Sequence, residues 1–286
     1  MQTSIRFLTA DDDAGLEAFL STHRDSSMFL RANARQAGLE DRGTLLQGTY
    51  AAAARDGVIV AVAAHYRTGL LALQAPEQCA AVAQACVAAS GRPVTGLAGL
   101  PAQVTEARRA LGLGHIVAAH GGQEWLYALD IPGLIVPPAL TAGTVVVRHP
   151  RADERDALCA WRLAYDIELL GASDTPGQRQ RSAAFLDTQI DAGHAWIALH
   201  EEQPVSLAAF NAALPDIVQL GGIYTPPSLR GRGFARAAVA AALLDARAHG
   251  VSRAVLFTNN PSAARSYEAV GFVRTGDYAL VLFPRV

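Results

Sequence analysis

Leu229-Arg230-Gly231-Arg232-Gly233-Phe234-Ala235 is the stretch on which the reading of this chain turns. It follows a β-type run, Ile217 to Tyr224, that ends at Thr225-Pro226-Pro227, and it leads into an alanine-rich helical pattern. Glycines at 231 and 233 let the backbone curl with its N–H groups turned inward and leave no side chain in the way of a ligand. The helix that follows offers unpaired N–H donors and a positive dipole end, and Arg230 and Arg232 add charge-assisted donors suited to a phosphate. Ala235, Ala238, Val239, Ala242, Leu243 and Ala246 fall on one face of that helix, which Gly250 should end, so the loop is anchored on a buried element.

The kind of phosphate site narrows by elimination. A P-loop needs a lysine after its second glycine, and the 24 basic residues of this chain are all arginine. A dinucleotide fingerprint needs a third glycine where Arg236 stands and an acid at the end of a second strand, whereas the nearest acid, Asp245, lies inside the helix pattern. The arrangement Arg230, Gly233, Ala235 after Tyr-Thr-Pro-Pro resembles the pyrophosphate loop of the GNAT N-acyltransferases, which grip coenzyme A.

A second motif sits at the spacing this resemblance requires. Arg253 to Thr258 reads as a short strand, followed by Asn259-Asn260-Pro261 and a helical stretch, Ser262 to Val270, closed by Gly271-Phe272. Asn260 suits the cap, Pro261 the first helical position and Gly271 the left-handed residue past the end. The string from Asn260 to Phe272 resembles the last segment of the GNAT family, where an Asn contacts the pantetheine arm and a Tyr protonates the departing thiolate. On matching positions these are Asn260 and Tyr267. Read without the family, Asn260 is a helix cap and Tyr267 a half-buried helix aromatic.

The resemblance covers about residues 195 to 283 and implies direct transfer of an acetyl group from acetyl-CoA to a primary amine. It implies that Arg230, Gly231, Arg232, Gly233, Phe234 and Ala235 hold the pyrophosphate. It also implies that a backbone N–H among Ile223, Tyr224 and Thr225 meets the thioester, and that Tyr267 is the acid. No general base stands out in the sequence; Glu168, on the Trp161 to Leu170 helical stretch, is only a guess, and its first reading is a solvated helix charge. The alternative from another class is a non-catalytic acyl-CoA sensor or scaffold.

Composition bounds the rest. A chain of 286 residues, 51% hydrophobic and 17% charged with net charge -2, describes a globular protein long enough for two cores. No basic field or Lys/Arg cluster beside aromatics points to nucleic acid, and no apolar run approaches the about 18 residues of a membrane span. Cytoplasm is the expected compartment. Three cysteines argue against a disulfide scaffold; Cys79 and Cys86 share a helical face and Cys159 lies near Trp161, all readings of core packing. No zinc-type His or Cys spacing and no Gly-x-Ser-x-Gly elbow occurs, so no metal is expected, and without lysine no Schiff base can form.

A faint duplication runs through the chain. Ile5-Arg6-Phe7-Leu8-Thr9-Ala10-Asp11-Asp12 matches Val147-Arg148-His149-Pro150-Arg151-Ala152-Asp153-Glu154 without a gap, each reading as a strand and an acidic helix start. Ala53 to Gly57 and Ala198 to Glu202 both read as polar turns of hairpins. The expected fold is therefore α/β, two GNAT-like mixed-sheet domains with a twisted, mostly antiparallel sheet flanked by helices. The expected division is 1–140, a degenerate copy, and 141–286, the catalytic copy, with Ile131-Pro132-Gly133, Pro137-Pro138 and Thr141-Ala142-Gly143 marking the linker. In the first copy the strand Leu70 to Leu73 reaches its helix through only Gln74-Ala75-Pro76, without a glycine loop, and Arg108 stands where Tyr267 would align.

Overall fold

The computed structural model describes residues 3–284. They form two compact units, one running to Trp125 and taking in the segment from Gly276 onward, the other spanning Leu126–Thr275. The first contains β1 (Thr3–Phe7), α1 (Asp13–Ser21), α2 (Met28–Ala37), β2 (Gly48–Arg55), β3 (Val58–Tyr66), β4 (Leu70–Gln74), α3 (Cys79–Ser90), β5 (Gly96–Gly99), α4 (Pro101–Ala110) and the start of β6 (His120–Asp130). The second holds the end of β6, then α5 (Pro138–Thr141), β7 (Val146–Arg148), α6 (Arg155–Leu170), α7 (Pro176–Asp191), β8 (Ala195–His200), β9 (Gln203–Ala213) and β10 (Ile217–Tyr224). It continues with α8 (Phe234–Ala248), β11 (Arg253–Thr258), α9 (Pro261–Glu268) and the first residues of β12 (Val273–Leu282), whose remainder belongs to the first unit.

The same order of strand, two helices, three strands, helix, strand, helix runs through both units, so the duplication read in the sequence is one of topology. Strands lie in the order β1-β2-β3-β4-β5 in one and β7-β8-β9-β10-β11 in the other. Neighbours are antiparallel except β4 with β5 and β10 with β11, which are parallel. Small devices are repeated with the topology. Arg6 pairs with Asp12 at 2.7 Å, and Arg148 pairs with Glu154 at 2.7 Å. Asp12 accepts the Thr9 N–H at 2.9 Å, and Glu154 accepts the Arg151 N–H at 2.7 Å, so a carboxylate ties back to the same helix entrance in each. The β2–β3 and β8–β9 hairpins turn on two left-handed residues each, Asp56-Gly57 and Glu201-Glu202, and each carries a register shift just before the turn.

Side-chain alternation shows why the first sheet is covered on both faces. Tyr50, Ala52, Val62, Ala64 and Ala72 join Leu16, Leu20 and Leu30 of α1 and α2, while Ala51, Ala53, Ala63, Leu71 and Leu73 join Val82 and Cys86 of α3 on the opposite face. Cys79 and Cys86 are buried as their spacing predicts, and burial pushes their thiols up to about 11 and about 12, leaving them inert. In the second unit α8 buries Ala238, Val239, Ala242, Leu243 and Ala246 of the face expected from its periodicity, and Phe234, Ala237 and Ala240 beside it, while Ala235 is only partly buried.

Two local expectations shift. The connection from β4 to α3 is longer than Gln74-Ala75-Pro76, because Gln74 continues the strand and α3 begins only at Cys79. The Pro- and Gly-marked segment 131–138 lies inside the second unit rather than as free chain: the Ile131 N–H donates to Ser252 O at 2.8 Å and the Ile135 N–H to Val270 O at 3.0 Å.

Candidate active site

The site is built where β10 and β11 part. They pair in parallel at Ile217↔Arg253, Val218↔Ala254 and Gln219↔Val255, after which each strand runs on without register to the other. A bulge drives the separation: the register of β10 with β9 skips Gly222 and Ile223, and Gly222 takes a left-handed φ of 63°. A Cβ on Gly221 would meet the Asn211 amide, which would have to turn away. The Gly-Gly pair inside a strand was a readable signal of a bulge or of close backbone approach that the sequence reading passed over. The bulge leaves Gly222 and Ile223 without a partner in the β9 register, whereas Tyr224 pairs again with Leu207. Beyond it, Ser206 Oγ donates to Tyr224 O at 3.2 Å and lies 2.9 Å from Thr225 Oγ1.

From β10 the chain turns through Pro227–Leu229 into the glycine loop. Gly231 (φ 78°) and Gly233 (φ 84°) are both left-handed, and a Cβ on Gly231 would meet only open space. The first ladder bond of α8 runs from the Ala237 N–H to Gly233 O, so the N–H groups of Phe234, Ala235 and Arg236 precede the ladder at the helix's positive end. Arg232 is exposed, packs its guanidinium carbon 5.0 Å from the Phe234 ring centroid and has no ion pair among the described residues. Arg230 is engaged: Nη1 and Nη2 donate to the two Glu168 carboxylate oxygens, each at 2.7 Å, Nε donates to Thr225 O at 2.9 Å, and its guanidinium lies 5.6 Å from the Tyr224 ring centroid. The Arg230 hydrogen bond holds the Glu168 carboxyl below the usual range. The structure thus joins two residues that the sequence could only name separately.

Across the fork, α9 begins as predicted. Asn260 Oδ1 accepts the N–H of Ser262 at 2.9 Å and of Ala263 at 3.4 Å, Pro261 occupies the first position, and Gly271 takes a φ of 105°. Tyr267 is half-buried, edge-on to Phe272 with centroids 6.2 Å apart. Burial, with the neighbouring Tyr165 of α6 adding to it, pushes the phenol well above its ordinary value.

Beneath the bulge lies a polar cluster that the sequence reading missed. Arg162 Nη2 meets Asp166 Oδ1 at 2.9 Å, Ser182 Oγ donates to Asp166 Oδ2 at 2.5 Å, and the Arg162 guanidinium stacks 3.9 Å from the Phe185 ring centroid. Arg162 Nη1 would come within 3.2 Å of a Cβ on Gly222. An Arg and an Asp four apart on an otherwise amphipathic helix look like a solvated pair, and only the fold reveals that both are buried.

The corresponding place in the first unit is filled from within. The Ala75 N–H, just past β4, donates to Gln103 Oε1 of α4 at 2.9 Å, and the Ala80 N–H in the first turn of α3 donates to Glu106 Oε1 at 3.2 Å. A carboxylate of the chain stands where an anion would bind. Arg108 donates to Leu113 O and Ile116 O, holding a loop. Among the described residues no group of three or more His, Cys, Asp or Glu is placed to hold a metal ion, and no helix is long and apolar enough to cross a membrane.

Residues 161–272 match the acetyltransferase (GNAT) family. That segment, which contains the fork, the glycine loop and α9, belongs to the family, and the repeated topology gives the chain a tandem form of its fold. A Drosophila protein solved as a structural-genomics target is similar over 99% of both chains at 12% identity and a TM-score of 0.69. A GCN5-related N-acetyltransferase from Sphaerobacter thermophilus is similar over 99% of this chain and 97% of its own at 15% identity and a TM-score of 0.59. A tandem GNAT protein from the clavulanic acid biosynthesis pathway is similar over 100% of both chains at 12% identity and a TM-score of 0.50. At these identities the likeness is one of fold. No curated protein matches the chain by sequence.

Proposed function

We propose that the protein is an N-acetyltransferase that moves the acetyl group of acetyl-CoA to a primary amine in the second unit, 126–275. The observation that carries the reading is the fork of β10 from β11 leading directly, through Gly231 and Gly233, to the open N-terminus of α8. Both glycines are left-handed, and space is open at Gly231, so the residues present suit a pyrophosphate: the N–H groups of Arg232 to Ala235, the Arg232 guanidinium and, once released from Glu168, Arg230. Magnitudes favour that release. An exposed Arg–Glu pair is worth about 0–1 kcal/mol, whereas an arginine hydrogen bond to phosphate contributes about 1.5–3 kcal/mol.

When bound, acetyl-CoA supplies an activated acetyl group as a thioester. Ile223, left unpaired by the bulge, offers its N–H to the acyl oxygen as that oxygen gathers charge, with Tyr224 and Thr225 completing the strand end. Tyr267 holds a proton at its hydroxyl and delivers it to the departing sulfur; burial makes the phenol a weaker acid, and desolvation of the departing thiolate works in the opposite sense. Asn260 turns its carbonyl to the α9 cap and keeps its NH2 for the pantetheine arm. Glu168 becomes available to take the ammonium proton only when Arg230 leaves it. The first unit, with Gln103 and Glu106 on its own amides, takes no cofactor. A thiol-release screen of amino acids, polyamines, aminoglycosides and peptide N-termini with acetyl-CoA tests the reading. Acceptor-dependent thiol release supports it; saturable acetyl-CoA binding without release by any amine would leave a binding protein instead.

A further inference from the structure

A cavity lined wholly by residues of the first unit belongs to none of the chemistry above. It holds about 750 Å³, within the range of small-molecule sites. One stripe of α4 forms a wall: Pro101, Val104, Thr105, Arg108 and Arg109 recur at helical spacing along it, and Gly112 follows just past its end. Val104, Ala279 and Val281 form an apolar floor that continues the core under α3. The rim is preformed, because Arg108 bonds the carbonyls of Leu113 and Ile116 and the Ala119 N–H donates to Leu282 O at 2.9 Å.

The charge at this cavity has one sign. No lining residue is acidic, while Arg109 and His115 both stand exposed at its edge, and neither side chain has an ion pair or hydrogen bond among the described residues. An arginine held beside an apolar floor without a counter-ion is suited to an anionic ligand whose body is apolar, since the floor removes hydrocarbon from water while the guanidinium meets a headgroup in bidentate fashion. We propose that the first unit binds, between α4 and the Gly112–Gln123 segment, a small amphipathic anion: a carboxylate or phosphate ester on a medium-length hydrocarbon chain. The unit that lacks a place for the cofactor thereby gains a ligand of its own.

The test is calorimetry on the full-length protein with decanoate and decyl phosphate as probes, acetate as the headgroup alone and decyltrimethylammonium as the opposite charge. Saturable one-to-one binding of either anionic probe, with acetate and the cation failing to saturate, is the expected result. Arg109→Glu should weaken it about tenfold or more by placing a carboxylate at the headgroup. Thr105→Trp, at an exposed α4 position, should abolish it by filling the cavity. Gly233→Val, in the second unit, should leave it unchanged. Equal binding of the cation, no saturation by either anion, an unchanged affinity in Arg109→Glu, or loss of binding in Gly233→Val would each overturn the site.

Discussion

Tyr267 carries two constraints that pull together. Its phenol, protonated at neutral pH as any ordinary tyrosine is, is raised further by burial, and its place on α9 is fixed by the Asn260 cap at one end and Gly271 at the other. Tyr267→Phe keeps the ring against Phe272 and removes only the donor, so kcat should fall about 10- to 10³-fold with little change in acetyl-CoA affinity. Stopped-flow thiol release alongside calorimetry measures both, and an unchanged kcat with chemistry rate-limiting would return Tyr267 to a packing role. Glu168 and Arg230 make a second prediction at this scale. Glu168→Gln should release Arg230 toward the phosphates and tighten acetyl-CoA binding about two- to five-fold, the range an exposed pair allows, while lowering kcat if the carboxylate takes the proton. Weaker cofactor binding in this variant would contradict the competition.

At the scale of elements, the glycine loop and both caps of α9 were legible because Gly, Pro and Asn each announce one backbone geometry. The duplication was legible for the same reason: the eight-residue repeat encodes one strand, one ion pair and one cap in each unit. The Glu154 carboxylate, held low first by Arg148 and then by the Arg151 N–H, stabilises the entrance to α6. Glu154→Ala should cost about 0.5–2 kcal/mol in urea unfolding. Because the carboxyl is held below its unfolded value, its contribution is present above pH about 4.3 and is lost as pH falls through the lowered folded value, so wild type and variant should converge in acid. A difference that persists under acid conditions would assign the effect to packing. What the sequence concealed was contact across distance. The burial of the Arg162–Asp166 pair and the contact between Glu168 and Arg230 are set by how α6 meets the end of β10, and no local pattern records that.

The chain as a whole is divided in a way that sequence order does not follow. The last strand serves the first unit: Ala279, Leu280, Val281 and Leu282 pair with Gly99, Ala98, Leu97 and Gly96, and Ala279, Val281 and Phe283 enter the α3–α4 core. Pairing between residues so far apart in the chain leaves no trace in periodicity. Truncation after Thr275 should therefore unfold or strongly destabilise the first unit, seen as loss of cooperative melting by circular dichroism; an unchanged melt would contradict the assignment of that strand. The functional division is equally lopsided, with an open helix end at α8 and an internally capped one at α3. Calorimetric titration of the full-length protein with acetyl-CoA, wild type against Gly233→Val, tests this most directly. The account predicts a single site per chain in the wild type and at least an about tenfold loss in the folded variant, whose side chain would strain a left-handed backbone and obstruct the phosphate approach. Wild-type affinity in a folded Gly233→Val protein, or a second saturable site, would contradict it.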